Sequence, residues 1–166
     1  MRHKTRTLTV LAVLGTAALT PSPATAEERT CRGTIRAVTV DNLRVPRGAT
    51  CVLTGTRVKG TVKVERGGTL KASRIKVVGN VQAEGAAVVN VAASTIGGSV
   101  QVVQGRRSTL ARNAVKGDVQ YFENRGAISI TRNRVDGNLQ CKENRPAPGG
   151  SGNVVQGNKE DQCSRL

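Results

Sequence analysis

The chain is poor in the side chains on which most active sites and most hydrophobic cores depend. Its one His and one Met are His3 and Met1, it has no Trp, and Tyr121 and Phe122 are its whole aromatic stock. Beyond residue 3, Ser-His or Cys-His hydrolysis has no base, and zinc or copper has lost its commonest ligand. No cofactor and no metal is expected. Binders of single-stranded nucleic acid stack bases on aromatic rings, so one adjacent pair of rings argues against specific nucleic-acid recognition. Long apolar runs are missing too: a membrane-crossing helix needs about 20 such residues, and the longest stretch, Leu8 to Leu19, falls short. No membrane span is expected. Helix signals are absent, and a core must come almost wholly from Val, Ala, Leu and Ile. That inventory fits a coil only two side chains wide better than a sandwich.

What the chain does have at its start is Arg2, His3, Lys4 and Arg6, then the apolar stretch, then Ala24-Thr25-Ala26. A basic segment, a short apolar segment and a small-residue cleavage site make a secretory signal peptide. Residues 1–26 are therefore expected to be removed, leaving a secreted chain that begins at Glu27. Cys31 lies too far past Ala26 for lipidation, so no lipid anchor is expected; cell-wall association would be non-covalent. Residues 1–26 hold three of the 26 Lys and Arg and none of the Asp and Glu, so 23 cations then face 11 acids, a net charge of +12. Such a charge favours an anionic cell-wall polymer or polysaccharide, besides a protein partner. The cations form no tract of five, and the same charge equally serves solubility.

Internal periodicity decides the fold. Gly60, Gly79, Gly98, Gly117, Gly137 and Gly157 are spaced by 19, 19, 19, 20 and 20 residues, with Asp41 in the same slot one period earlier. Two positions after these anchors stand Leu43, Val62, Val81, Val100, Val119 and Leu139. Four after stand Val45, Val64, Ala83, Val102, Tyr121 and Cys141. Alternation as in Val62-Lys63-Val64 is the two-residue period of a strand with one buried face. A second alternating run follows, as in Thr69-Leu70-Lys71-Ala72, across turn formers such as Arg66-Gly67-Gly68. The expected fold is all-β: a single-stranded parallel β-helix, a solenoid of six to seven coils of about 19–20 residues. Its parts would be an N-terminal cap over 27–40, the β-helix over 41–157 and a C-terminal cap over 158–166. The recurring Gly is expected to meet a need for positive φ or for close approach of neighbouring backbone.

Stacking turns the repeat into columns. One position after the anchor come Asn42, Thr61, Asn80, Ser99, Asp118, Asn138 and Asn158, short side chains able to hydrogen-bond at a corner. Three after come Arg44, Lys63, Gln82, Gln101, Gln120 and Gln140, an outward column that is basic at one end and amide after it. Both read first as ladders that hold the stack together, and second as faces for a repetitive polymer. The coils also select among the three pairings that four Cys allow. Cys31 and Cys51 are 20 residues apart and Cys141 and Cys163 are 22 apart, about one circuit each. Any other pairing would bridge coils too distant for a Cα separation below about 7 Å. These staples would sit at the two ends, where unpaired strand edges invite aggregation.

The most distinctive local chemistry is Tyr121-Phe122-Glu123-Asn124-Arg125 and, 20 residues on, Cys141-Lys142-Glu143-Asn144-Arg145. Glu123 with Glu143, Asn124 with Asn144 and Arg125 with Arg145 should stack in register, and together with Tyr121 they form a candidate binding edge. The plainer reading is a corner in which stacked Asn and Glu-Arg pairs satisfy turn backbone. Residues 145–152, Arg-Pro-Ala-Pro-Gly-Gly-Ser-Gly, read as a flexible loop replacing the second strand of their coil. Asp118 and Asp136 flank neighbouring anchors and are the acids best placed for paired-carboxylate glycosidic cleavage. Asp118 belongs to the corner column, however, and no further acid joins it. No catalytic residue is assigned, and without a Cys-x-x-Cys the cysteines read as structural.

The Gly-x-Val-x-Val coils and the closing Gly157-Asn158-Lys159-Glu160-Asp161-Gln162-Cys163 make residues 31–163 resemble secreted β-helix repeat proteins of unknown function from actinobacterial genomes. More distantly they resemble the bactofilins, whose small β-helices polymerise end to end. The resemblance implies the fold and brings no catalytic residues. Bactofilins are cytoplasmic, so the signal peptide and the paired Cys count against carrying filament formation over. The expected function is that of a non-enzymatic structural or interaction protein of the exterior, offering a rigid basic surface to wall polymer or protein. The alternative is a small carbohydrate-active enzyme, similar to polysaccharide lyases in fold, although the clustered acids of those enzymes are missing. Ice binding would need a Thr-x-Thr column, which the repeat does not contain.

Overall fold

A strand that alternates aliphatic and polar residues buries only one face, so each run needs a surface opposite its apolar side. In the computed structural model, which describes residues 27–166, that surface is the chain itself. The signal-peptide reading of residues 1–26 lies outside the described residues. One circuit runs through Val62–Val64, Thr69–Ser73 and Lys76–Val77 before the next begins with Val81–Glu84. Repetition gives three parallel sheets of eight, seven and seven strands, and no helix among the described residues. We call them sheets 1, 2 and 3 in the order the circuit meets them. Each strand pairs with its counterparts one circuit before and after, so the fold is a β-solenoid of about seven coils. At about 4.8 Å per strand the rod is roughly 30 Å long.

Register follows the columns. Val62, Val81, Val100 and Val119 are successive partners in sheet 1, Leu70 and Val89 in sheet 2, and Val77, Ile96 and Val115 in sheet 3. All of these are buried, so the interior is a set of stacked aliphatic rows. The shift from 19 to 20 residues has a local cause. Val102 pairs with Tyr121 and Ser108 with Ile128, so the corner between Tyr121 and Ile128 holds one residue more than the corner before it. Gly126 sits in that longer corner, where an added Cβ would collide with the Arg106 carbonyl.

Of the two reasons for the anchor Gly, close approach is the one realised. None of the six has positive φ. Gly98 N–H donates to Gly79 O (2.9 Å) and Gly117 N–H to Gly98 O (3.0 Å), which draws successive corners together. A Cβ on Gly117 would stand 2.8 Å from the Gly98 carbonyl carbon, so even Ala would push the coils apart. Positive φ is found at the other corners instead, partly at residues that are not Gly: Arg74, Ala93, Arg112 and Arg132 between sheets 2 and 3, and Gln104, Glu123 and Glu143 between sheets 1 and 2.

The ends refine the sequence reading. Residues 27–40 supply Glu28–Thr30, Gly33–Ile35 and Thr39–Val40, one strand to each sheet, and so run as the first circuit. The flexible loop expected over 145–152 is corrected: Gly149–Ser151 is a strand paired with Ser129, Ile130 and Thr131. Gly150 lies so close to the Ile130 carbonyl that a Cβ would not fit, and Pro148 is buried. Glycine here permits contact and does not loosen the chain. Both disulfides join adjacent coils as the spacing requires, Cys31 to Cys51 and Cys141 to Cys163, with Cα separations of 5.5 and 5.2 Å. All four sulfurs belong to buried residues, and the bridges replace aliphatic packing near the two ends. Such bridges fit an oxidising compartment.

Candidate functional site

Each corner is closed by short polar side chains, because a stacked turn leaves backbone N–H groups that the sheets do not pair. Between sheets 3 and 1, Thr61 N–H donates to Asn42 Oδ1 (2.9 Å), and the same bond recurs at every later coil through to Asn158 N–H and Asn138 Oδ1 (2.8 Å). Asp118 spends its carboxylate on this ladder, accepting from Asn138 N–H (2.8 Å), while Asp136 faces Arg134 (3.6 Å). On the outer face of sheet 1, Gln101, Gln120, Gln140 and Glu160 form an amide ladder (3.1, 2.8 and 2.8 Å). At the basic end of that column Arg44 pairs with Glu65 (3.3 Å) and Glu28 (2.7 Å); the Arg44 guanidinium holds the Glu65 carboxyl below its usual value.

A third ladder was missed by the sequence reading. Four positions before the anchor stand Thr56, Ser94, Asn113, Asn133 and Asn153, all buried between sheets 2 and 3. Ser94, Asn113 and Asn133 N–H donate to Oδ1 of Asn113, Asn133 and Asn153 (2.9, 3.0 and 3.0 Å). The signal was present as Asn113, Asn133 and Asn153 at the period, but Ile75 interrupts the polar column and hides it.

The candidate edge divides in two. Tyr121, Asn124 and Asn144 are 0, 1 and 2 % exposed, so they face the interior and touch no external partner. Asn124 Oδ1 accepts from Gly105 N–H (2.7 Å) and Asn144 Oδ1 from Asn124 N–H (3.1 Å), the corner role given above as the plainer reading. Arg125 and Arg145 stack as expected, in a parallel bridge, and they are exposed with Glu123 and Glu143. The Glu-Arg pairs do not form: among the described residues the only ion pairs involve Arg44, Lys59 and Arg134. Glu123 instead accepts from Gln104 Nε2 (3.0 Å).

Tyr121 occupies an aliphatic slot because Ser108 makes room for it. The two hydroxyls lie 2.9 Å apart, and Ser108 donates onward to Val89 O (2.9 Å). Burial pushes the phenol up to about 12, against a smaller downward pull from the Ser108 hydrogen bond. The unfolded value is about 10, so this group leaves stability unchanged below that pH and removes it progressively from about 10 to 12. Tyrosinate absorbance followed against pH should rise only as the chain unfolds, and a rise centred near 10 in folded protein would contradict the buried placement.

Arg125 takes part in a feature that spacing alone does not show. At the corner between sheets 1 and 2, the coil after Arg66 carries only Gly85, Ala86 and Ala87, too small to fill the outer edge. A concavity of about 540 Å³ results, lined by Arg66, Gly67, Gly85, Ala87, Gln104, Arg106 and Arg125. The stem of Arg66 lies across Gly85, where a Cβ would be 3.2 Å from its Cγ. Arg106 and Arg125 stand on adjacent coils opposite, Arg125 N–H donating to Gly105 O (2.8 Å). No carboxylate lines the notch, and no described residue pairs with the three guanidinium groups.

A second cationic region lies on the outer face of sheet 3 and the corner leading into it. Arg57, Lys76 and Arg134 are exposed on the sheet, and Arg74, Arg112 and Arg132 at the corner. No cluster of His, Cys, Asp or Glu able to hold a metal occurs among the described residues. Nor is any described helix long and apolar enough to cross a membrane. Compared with known protein families, with characterised proteins and with solved structures, the chain matches none.

Proposed function

We propose that this is an exported, non-enzymatic interaction protein whose rigid coil presents rows of cations to an anionic cell-wall polymer or polysaccharide. The observation that carries the reading is the corner between sheets 2 and 3. Arg74, Arg112 and Arg132 adopt φ of 52, 55 and 54°, in a column where Gly55, Ala93 and Gly152 take the same conformation. A left-handed conformation costs an L-residue about 1–2 kcal/mol that glycine avoids. Arginine held there at that cost, at the corner beside the exposed Arg57, Lys76 and Arg134 of sheet 3, supports a working role for the charge. Within these columns Arg57 and Lys76, and Arg112 and Arg132, stand one coil apart, about 4.8 Å, while Arg74 and Arg112 stand two coils apart. The stiff rod thus holds the cations at multiples of one spacing, which suits a chain of repeated anions.

Sedimentation with purified cell walls tests the reading. The secreted chain should pellet with walls at low salt and be released near 1 M salt, where the screening length is only about 3 Å. Retention at 1 M salt, or undiminished retention on walls stripped of their anionic polymers, would overturn it.

A further inference from the structure

Apart from the charge along sheet 3, we propose that the notch between sheets 1 and 2 is a discrete binding site for one tetrahedral oxyanion, of the phosphate or sulfate class. Three features set it apart from a merely basic surface. It is concave, because Gly85 and Ala87 leave out the side chains that other coils supply at this corner. It is uncompensated: Arg66, Arg106 and Arg125 make no ion pair, Glu65 beside Arg66 in the chain is paired with Arg44, Glu84 stands outside the lining, and Glu123 is turned to Gln104. It is also two-sided, Arg66 approaching from one coil and Arg106 with Arg125 from coils beyond the gap.

That last point selects the ligand chemistry. The coils bearing Arg66 and Arg106 are two apart, a separation of about 10 Å that forked guanidinium groups span from both sides. A tetrahedral anion directs oxygens toward both walls at once. A planar carboxylate engages one forked guanidinium and leaves the opposite one without a partner. The site stands on its own geometry and does not depend on the wall-polymer reading.

Calorimetric titration of the secreted chain at constant ionic strength, with inorganic phosphate, sulfate and acetate in separate arms, tests the proposal. Saturable binding of phosphate or sulfate at one per chain is expected, with acetate markedly weaker. Binding of phosphate alone would narrow the ligand to the phosphate class, and equal binding of both anions would identify the wider class. Arg66→Gln or Arg106→Gln should each weaken binding about tenfold or more, each removing a charge-assisted hydrogen bond. Arg112→Gln, on the other corner, should leave binding unchanged. Ala87→Glu places a carboxylate in the recess and should abolish binding. Its position is in line with Arg106 on the next coil, so a long side chain is accommodated and the melting temperature should hold. Absence of saturable phosphate or sulfate binding, or equal loss in Arg112→Gln, would overturn the site. Wall sedimentation answers separately: an Arg57→Gln, Arg134→Gln chain that leaves walls but still titrates phosphate identifies the sheet 3 face, and not the notch, as the polymer contact.

Discussion

Replacing Asn133 by Ala is expected to lower stability by about 3–5 kcal/mol, read as a fall in the urea midpoint, because it strips partners from buried groups that water cannot reach. Asn133 Oδ1 accepts from Asn113 N–H and Asn113 Nδ2 (both 3.0 Å). Its Nδ2 donates to Leu110 O (2.8 Å) and Asn153 Oδ1 (3.0 Å). Asn133 is 1 % exposed, so each orphaned donor or acceptor carries its full desolvation cost. Gln120→Ala is the matched control, since Gln120 bonds Gln101 and Gln140 in the same manner on the half-exposed face of sheet 1. There solvent replaces the lost partners, and about 1 kcal/mol or less is expected. Asn133→Ser should fall between the two, because Ser94 in the same column satisfies Ile75 N–H (3.1 Å) with a hydroxyl. Equal costs for Asn133→Ala and Gln120→Ala would mean that burial is not what gives the inner ladder its weight.

The rows behind that prediction were legible to different degrees. The aliphatic columns and the columns one and three positions after the anchor could be read directly, because a stacked coil brings residues one period apart into contact and the sequence keeps their chemistry alike. The disulfides followed from the same geometry. The inner Asn column was missed because Ile75 and Thr56 dilute it where the periodicity is plainest, and only the last coils are uniformly Asn. Tyr121 belongs to the candidate edge by its neighbours in the chain, whereas its column partners, Val102 and Cys141, point inward, and inside the coil its hydroxyl meets that of Ser108. Residues 145–152 have the composition of a flexible loop, whereas Gly149 to Ser151 keep the sheet register. The notch could not be read from spacing at all. It arises from what is absent at Gly85 and Ala87, and a gap has no signature until the neighbouring coils are laid on either side of it.

Loss of the Cys31–Cys51 bridge, by paired substitution to Ala, is expected to cost about 3 kcal/mol, the chain-entropy value for a loop of this length, and to do so at one end of the rod. In a solenoid each coil is held by its neighbours, and a terminal coil has only one. The two ends are not equally furnished without their bridges. At the C-terminal end, Gln162 accepts from Asn144 N–H (2.9 Å) and donates to Asn144 O (3.0 Å), and Leu166 is buried against the last coil. At the N-terminal end the inner columns offer only Thr56, whose hydroxyl reaches the Ile35 and Arg36 carbonyls (both 3.1 Å), and then Ile75; the corner between sheets 1 and 2 is closed by small residues such as Gly67 and Ala86. Hydrogen exchange on the Cys31→Ala, Cys51→Ala chain should therefore show Glu28 to Val45 losing protection while Val81 to Val119 keep it. Removing Cys141 and Cys163 in the same way should deprotect the last coil less, since the amide clamp and Leu166 remain. Exchange that speeds up uniformly along the rod in either variant would mean that the coils unfold as one unit, and the ends would then owe their order to the whole stack and not to the staples.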